Sequence, residues 1–445
     1  MKELLPPSLI KLAENCPVPL YVVGGSVRNY LARLSSSSVD WDICSPMLAE
    51  TFFPIAEKSG FSVKNAYKHT GTVKLQDENG IDYEYTCFRS DKYVRGTHVP
   101  IEIYFTKDMN ADAKRRDFTA NAVYYDIKSE KFIDPLNGIE AISKKRLTTV
   151  DRAEKVFGED GLRLLRLARQ AGQLGFSPDE ECLSGAKQHA DLINDISAER
   201  IYKELSLLLF ADSAYGVADG HYRSLKIMEE TNVLSHVLPE LALGKGMLQR
   251  ADFHDHDVLE HSLRAVLYAA PNVRLAALLH DVGKPYCMQT YGNAHAHPIE
   301  GERIAAEVLT RLKAPKKTLE RVCKLVKYHM YDFDCKTGEN KLRKFFVSNF
   351  DLLEDLLFLK QADFTACKDD TMVAPTCKKW KNLLSKMQDE NVPFSVKDLA
   401  LSGKDLLEIL PPEQIATTLK ELLLHVTVHP NENKKERLLK LARRR

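Results

Sequence analysis

Two carboxylates one residue apart, close behind a pair of glycines, are the densest chemical signal in the sequence. Tyr21-Val22-Val23-Gly24-Gly25-Ser26-Val27-Arg28 reads as a short apolar strand running into two glycines and an Arg-bearing helix start. Glycines allow backbone N–H groups to approach phosphate oxygens closely. Further on comes Val39-Asp40-Trp41-Asp42-Ile43, read as a strand that places Asp40 and Asp42 on one face because side chains alternate with period two. Two such carboxylates repel unless a cation lies between them. Mg²⁺ is the natural occupant, since it takes a few carboxylate oxygens together with substrate phosphates. With two ions, one activates an attacking hydroxyl and the other steadies a triphosphate.

The elements needed to hold these groups are legible from periodicity. Alternating runs at Leu20–Val23, Thr72–Leu75, Ile81–Cys87 and Ile101–Phe105 predict strands. From Glu154 onward, apolar residues at three-to-four spacing predict helices over Leu162–Leu174, Ile201–Phe210, Leu263–Ala270, Val273–His280, Arg303–Leu312 and Leu319–Tyr328. Breaks are expected near Thr148–Asp151, Gly244–His256 and Lys368–Pro375. The fold class is therefore α+β: a mixed head followed by an all-helical body.

Composition narrows the class further. A chain of 445 residues with 44% hydrophobic and 28% charged residues is ordinary globular material of several domains. The apolar stretches are far short of the roughly 20 residues of a membrane-spanning helix, and Met1–Pro7 lacks the regions of a signal peptide. A cytoplasmic location, with no membrane and no obligate protein partner, is expected. Nine cysteines without a C-x-x-C pair fit neither a zinc ribbon nor a disulfide framework. The net charge of +1 conceals a gradient, because Thr376–Arg445 carries 14 Lys and Arg against 9 Asp and Glu. Either a solvated helix face or a phosphate-binding tail would use that surplus.

With G-G-x-V-R followed by D-x-D, the sequence resembles the tRNA nucleotidyltransferase and poly(A) polymerase family, whose head is a polymerase-β-like nucleotidyltransferase domain. Lys114-Arg115-Arg116-Asp117-Phe118-Thr119-Ala120-Asn121-Ala122 is similar to the family's R-R-D-F-T-x-N-A segment. The resemblance implies that Asp117 contacts a ribose 2′-hydroxyl, that Arg116 faces phosphate and that Asn121 joins Gly24, Gly25, Ser26 and Arg28 in holding the nucleotide. Glu84 falls where the family carries another acidic residue, a third catalytic carboxylate beside Asp40 and Asp42. Glu159-Asp160-Gly161-Leu162-Arg163 resembles the family's E-D-x-x-R helix, with Arg166 and Arg169 following on the same segment. An Asp accepts from the exocyclic amine of cytosine or adenine and an Arg donates to the neighbouring ring nitrogen, a pattern that uracil and guanine invert. Asp160 and Arg163, expected on one helix face, would thus replace a nucleic-acid template.

His261, His280-Asp281, His297, His329 and Asp363 follow the H…HD…H…H…D order of HD phosphohydrolases, with the His-Asp pair at a helix end. Imidazoles with carboxylates suit Mn²⁺, Co²⁺, Ni²⁺ or Fe²⁺. His254, His256, Asp257 and His295 lie nearby as substitutes or bystanders. Lys397–Leu406 and Thr417–Val428 resemble the tail of bacterial CCA-adding enzymes with an internal HD domain, and the tail's basic surplus fits a surface for tRNA phosphates.

The expected layout is a head over 1–148, a neck over 149–243, an HD-type helical body over 244–370 and a helical tail over 371–445. The resemblance implies Mg-dependent addition of C, C and A to the 3′ end of tRNA from CTP and ATP. Four positions depart from the family pattern: Asn29, His98, Ala141 and Thr148 stand where Asp, Arg, Asp and Arg are usual. CC-only, A-only or poly(A) addition therefore stays open, as does an HD phosphohydrolase with a degenerate head.

Overall fold

The computed structural model describes residues 1–35, 40–94 and 100–443. Val39, His98, Arg444, Arg445 and most of the Ser35–Ser38 run lie outside the described residues. Two compact units are formed, one by residues 1–242 with 311–314 and the other by residues 243–310 with 315–445.

The first unit begins with nine strands: β1 (Tyr21–Val23), β2 (Trp41–Ser45), β3 (Ser62–Tyr67), β4 (Thr72–Gln76), β5 (Asp82–Cys87), β6 (Arg89–Lys92), β7 (Glu102–Phe105), β8 (Tyr124–Asp126) and β9 (Lys131–Ile133). Seven form one sheet in the order β3-β4-β5-β2-β1-β8-β9, while β6 and β7 pair separately. Within the sheet β2 runs parallel to β5 and antiparallel to β1, with Asp42 in register with both Val23 and Glu84. Along β5, Tyr83 and Tyr85 are buried while Glu84 between them is exposed, whereas β1 is buried on both faces. Tyr21, Phe88 and Tyr124 pack with Val23, Cys44 and Val156 in a core that, by register, lies on the same face of the sheet as Asp42 and Glu84.

Helices complete the unit. The strongly amphipathic helix Leu162–Leu174 buries Leu164, Leu165, Leu167, Ala168 and Ala171, and Gly175, at φ +67°, ends it in the left-handed conformation. It meets helix Gly220–Glu230 backbone to backbone. A Cβ at Gly172 would lie 2.0 Å from Ser224 Oγ and 2.2 Å from the Gly220 carbonyl oxygen, so only glycine fits.

The regular elements of the second unit are all helices among its described residues. Helices Val258–Tyr268 and Leu353–Lys368 pack against each other, joined by Arg274–Leu279 and Lys316–Tyr328. Trp380, on helix Pro375–Asp389, is fully buried and donates from its indole N–H to Asp332 at 3.0 Å. The segment expected to be helical over Thr417–Val428 forms the longer helix Pro412–Val428. No described helix is long and apolar enough to cross a membrane.

Candidate functional site

The glycine turn meets the carboxylate of Asp42 where β1 and β2 lie side by side. Gly24 takes φ +82° and ψ −140°, a conformation for glycine alone, and caps the helix Gly25–Leu31. A Cβ there would lie 2.8 Å from Asp42 Oδ2, so the missing side chain is what admits the carboxylate. Ser26 Oγ, in the next turn, is buried without a hydrogen-bond partner. Asp42 is half-buried and in parallel register with Glu84, which faces Lys74 at 4.0 Å. Burial pushes the Asp42 carboxyl up to about 6, opposed by Arg116 and reinforced by Glu84 and Asp40. The excess of negative charge at one spot, with an unsatisfied hydroxyl at the adjacent turn, fits a hard cation and phosphate oxygens.

One correction concerns Asp40. The strand starts at Trp41, one residue later than expected, and Asp40 is the exposed residue immediately before it. Its electrostatic contact with Asp42 persists.

Asp117 is the hub of the neighbouring network. Its Oδ1 accepts from the backbone N–H of Phe118 and from Asn121 Nδ2, both at 2.8 Å. Its Oδ2 accepts from Arg166 and from Gln170. Although burial opposes ionisation, Arg166 and these hydrogen bonds hold the carboxyl well below the usual range. Arg28, buried, donates to Asn121 Oδ1 at 2.6 Å and to Gln170 Oε1 at 3.3 Å. Asn29 accepts from Arg28 and donates to the Tyr215 hydroxyl at 2.9 Å, so this departure from the family pattern is fully engaged. Gln170 and Tyr215 were not legible as site residues. The only sequence signal for Gln170 is its position one turn beyond Arg166.

The remaining arginines have acidic partners within the chain. Arg116 donates to Asp112 at 3.0 Å and lies over the Tyr124 ring. Arg169 donates to Glu204 at 2.6 Å and Gln173 at 2.7 Å. Of the other departures, Thr148 donates to Asp179 at 2.7 Å, and Ala141 is buried on helix Gly138–Ser143.

A second correction concerns the base-reading pair. The helix begins at Leu162, and Asp160 is extended at the corner before it, with φ −145°, so Asp160 and Arg163 do not share a helix face. The carboxylate of Asp160 reaches forward to accept from the Leu162 N–H at 2.9 Å, capping the start of that helix. Both side chains are buried, with 3.9 Å between Arg163 Nε and Asp160 Oδ2. Arg163 also donates to the carbonyls of Val156 (2.9 Å) and Arg115 (2.7 Å).

In the second unit, six residues far apart in sequence converge. His261 Nε2 lies 3.1 Å from His280 Nε2 and 3.0 Å from Asp363 Oδ1. His297 Nε2 lies 3.1 Å from His329 Nε2 and 3.2 Å from Asp281 Oδ1. Asp281 Oδ2 faces His261 and His280 at 3.4 and 3.3 Å, so this carboxylate stands between two groups of donors. His280, His297 and His329 each donate from Nδ1 to the carbonyl three residues back, at 2.7, 2.7 and 2.6 Å. Those bonds place a proton on Nδ1 and turn each Nε2 inward, the orientation that metal-ligating histidines require. Burial disfavours charge on His280, yet Asp281 and Asp363 outweigh it and push the ring up to about 10. Against the same burial, His280 and Lys284 hold Asp281 well below the carboxylate range. Convergent imidazole nitrogens around two carboxylates fit one or two divalent transition ions.

Of the bystanders, His256 pairs with Asp369 at 3.5 Å, Asp257 caps helix Val258–Tyr268 and His295 is exposed. His254 lies beside His261. Burial, with His261 and Lys284 adding to it, lowers His254 to about 4.

Comparison with known proteins defines the class. Residues 20–148 match the poly A polymerase head domain, residues 175–243 the probable RNA and SrmB-binding site of polymerase A, and residues 258–356 the HD domain. The multifunctional CCA protein of Neisseria gonorrhoeae is 31% identical over 70% of this chain and 73% of its own length. The chain belongs to the tRNA nucleotidyltransferase and poly(A) polymerase family.

Within that family, a CCA-adding enzyme of a Geobacillus species is 35% identical over 54% of this chain, and the matched part spans about half, 55%, of that relative's length. An A-adding tRNA nucleotidyltransferase of Deinococcus radiodurans is 29% identical over 78% of this chain and 76% of its own. The fold is that of the CCA-adding enzyme of Bacillus stearothermophilus in complex with CTP, at a TM-score of 0.68 and 24% identity, covering 98% of this chain and 97% of that one. The Thermotoga maritima CCA-adding enzyme complexed with tRNA gives 0.60 at 16% identity, covering 98% and 93%.

Proposed function

We propose that the protein adds C, C and A to the 3′ end of tRNA from CTP and ATP, without a nucleic-acid template. The observation that carries this reading is the register of Asp42 with Glu84 beneath the Gly24–Gly25 turn, beside the Asp117 network. Asp40, Asp42 and Glu84 are the catalytic carboxylates and hold Mg²⁺. The ion, when bound, lowers the pKa of the tRNA 3′-hydroxyl and neutralises the triphosphate. The 3′ oxygen attacks the α-phosphate, the bond to the β-phosphate breaks, and pyrophosphate leaves. The residues of the chain provide position. Gly24, Gly25 and the Ser26 hydroxyl receive phosphate oxygens, and Asp117, set by Arg28, Asn121, Arg166 and Gln170, accepts from the ribose 2′-hydroxyl. Asp160 and Arg163 read the base edge, and Arg116 and Arg169 line the nucleotide's charge. The basic tail over 371–445 binds tRNA phosphates, and the head, neck and body keep the bounds 1–148, 149–243 and 244–370. The cytoplasm, where tRNA is processed, is the proposed location.

For the HD cluster we infer a metal centre of Mn²⁺, Co²⁺, Ni²⁺ or Fe²⁺ that hydrolyses phosphoesters. Two donor groups meeting at Asp281 support it. Incubation with tRNA lacking its 3′ terminus, Mg²⁺ and single labelled nucleotides tests the main reading. Incorporation of C then A is expected, and no incorporation refutes it. Product length separates CCA from CC-only, A-only and poly(A) addition.

A further inference from the structure

Beside the six converging ligands lies a cluster that the readings above leave unused. Ligand atoms of His254, His261 and Cys367 all lie within 4.8 Å of one another. His261 is fully buried, and its Nδ1 has no hydrogen-bond partner, unlike Nδ1 of His280, His297 and His329. It is the nitrogen left over once Nε2 is engaged with His280 and Asp363. Nδ1 of His254 is likewise buried and unpartnered. The two rings meet edge to face, with centroids 4.8 Å apart and an interplanar angle of 88°. Buried polar atoms ordinarily find partners, so two unsatisfied nitrogens beside one thiol call for a ligand.

The backbone holds this arrangement in place. Asp255 donates its N–H to the Cys367 carbonyl at 2.9 Å, fastening the segment that carries His254 to the end of helix Leu353–Lys368. Asp257 accepts from the Gly246 N–H at 2.7 Å and caps the helix that carries His261. Cys367 Sγ sits one turn beyond Asp363 and donates to its carbonyl at 3.3 Å.

We propose that His254, His261 and Cys367 form a further transition-metal site adjoining the HD cluster, two imidazole nitrogens and one thiolate around a borderline-soft ion such as Zn²⁺ or Co²⁺. Three protein ligands leave a fourth tetrahedral position for water or a phosphate oxygen. On binding, the Cys367 thiol releases its proton to solvent as the sulfur–metal bond forms, and the hydrogen bond to Asp363 is given up. With the HD centre also filled, His261 bridges the two as an imidazolate, its ring proton passing to solvent as well. The inference rests on the metal reading of the HD cluster only through the shared His261.

The test is a Co²⁺ titration of the full, chelator-stripped chain under reducing, anaerobic conditions. A thiolate-to-cobalt charge-transfer band in the near ultraviolet is expected. Cys367→Ser and His254→Gln, each checked for native circular dichroism, should both abolish the band and bind one equivalent less cobalt than the parent. The double change His280→Ala, Asp281→Ala should lose HD-site cobalt yet keep the band. Equal cobalt uptake by that double variant and the parent would instead refute the HD reading alone. Cobalt binding without the band, a band that survives Cys367→Ser, or no cobalt binding at all overturns the site proposed here.

Discussion

Arg166 and Asp117 are joined through a single oxygen: Nε at 2.8 Å and a terminal nitrogen at 2.6 Å of the guanidinium both donate to Asp117 Oδ2. The other oxygen is held by Asn121 and the Phe118 N–H. The carboxylate is therefore fixed on both edges, with one partner on the helix that follows the head.

That arrangement sets the acid response. Asp117 ionises well below an unfolded aspartate, so its contribution is complete above about pH 4, the ordinary aspartate value, and is lost as pH falls through the lower, folded value. Arg166→Ala leaves the carboxylate buried and should cost about 3 kcal/mol at pH 7, the lower end for a broken buried pair because Arg166 is part-exposed. In urea melts, the gap between parent and variant should narrow from pH 4 to pH 2. A gap independent of pH would show that the pair does not set the Asp117 ionisation.

Asp42 and Gly24 should respond oppositely. The raised carboxyl destabilises the metal-free fold as pH rises from about 4 to 6. Asp42→Asn should thus melt higher than the parent at pH 8 in chelator, by about 1–2 kcal/mol after allowing for partial exposure, while nucleotide addition falls to background. Gly24→Ala forces a side chain into a glycine conformation and against Asp42 Oδ2, costing about 1–3 kcal/mol and abolishing addition. Thermal melts with and without Mg²⁺, beside a gel assay, check both.

For Arg163, structure changes the expected outcome. Because the guanidinium caps the carbonyls of Val156 and Arg115, Arg163→Ala should lower stability by about 1–3 kcal/mol per carbonyl left dry. It should also cut kcat/KM for CTP and ATP by about ten- to a hundredfold, with tRNA affinity little changed. Unaltered nucleotide kinetics alongside the stability loss would make Arg163 a purely structural clamp.

The HD cluster predicts proton release. Since His280 is held protonated up to about 10, metal entry at pH 8 must expel that proton. Calorimetric enthalpies of Mn²⁺ or Co²⁺ binding should therefore vary with the ionisation enthalpy of the buffer. His280→Ala with Asp281→Ala should remove this metal and spare nucleotide addition.

The two sites were legible to different depths. The six residues of the HD cluster could be read from their order, because residue type alone selects them and the helices need only bring them together. The β2 strand was legible from its alternation, but its first residue was not, and Asp40 fell outside it. Asp160 was placed on a helix because periodicity sees apolar spacing and not the Asx turn by which its own carboxylate caps Leu162. Gln170, Tyr215 and Cys367 carry no local motif. Each gains its place only from tertiary packing.

The contact of Gly172 with Gly220 also has a mechanical consequence. Two helices that meet main chain to main chain at Gly172 and Gly220, with only the Ser224 side chain beside the contact, resist sliding or rolling past one another because backbone atoms and the Ser224 hydroxyl would overlap. Arg166 and Gln170 stand on the first of these helices, so the grip on Asp117 is mounted on a stiff beam rather than a lever. Any displacement at this site must then be taken up elsewhere in the chain, and the distance between the Asp117 carboxylate and its support stays constant.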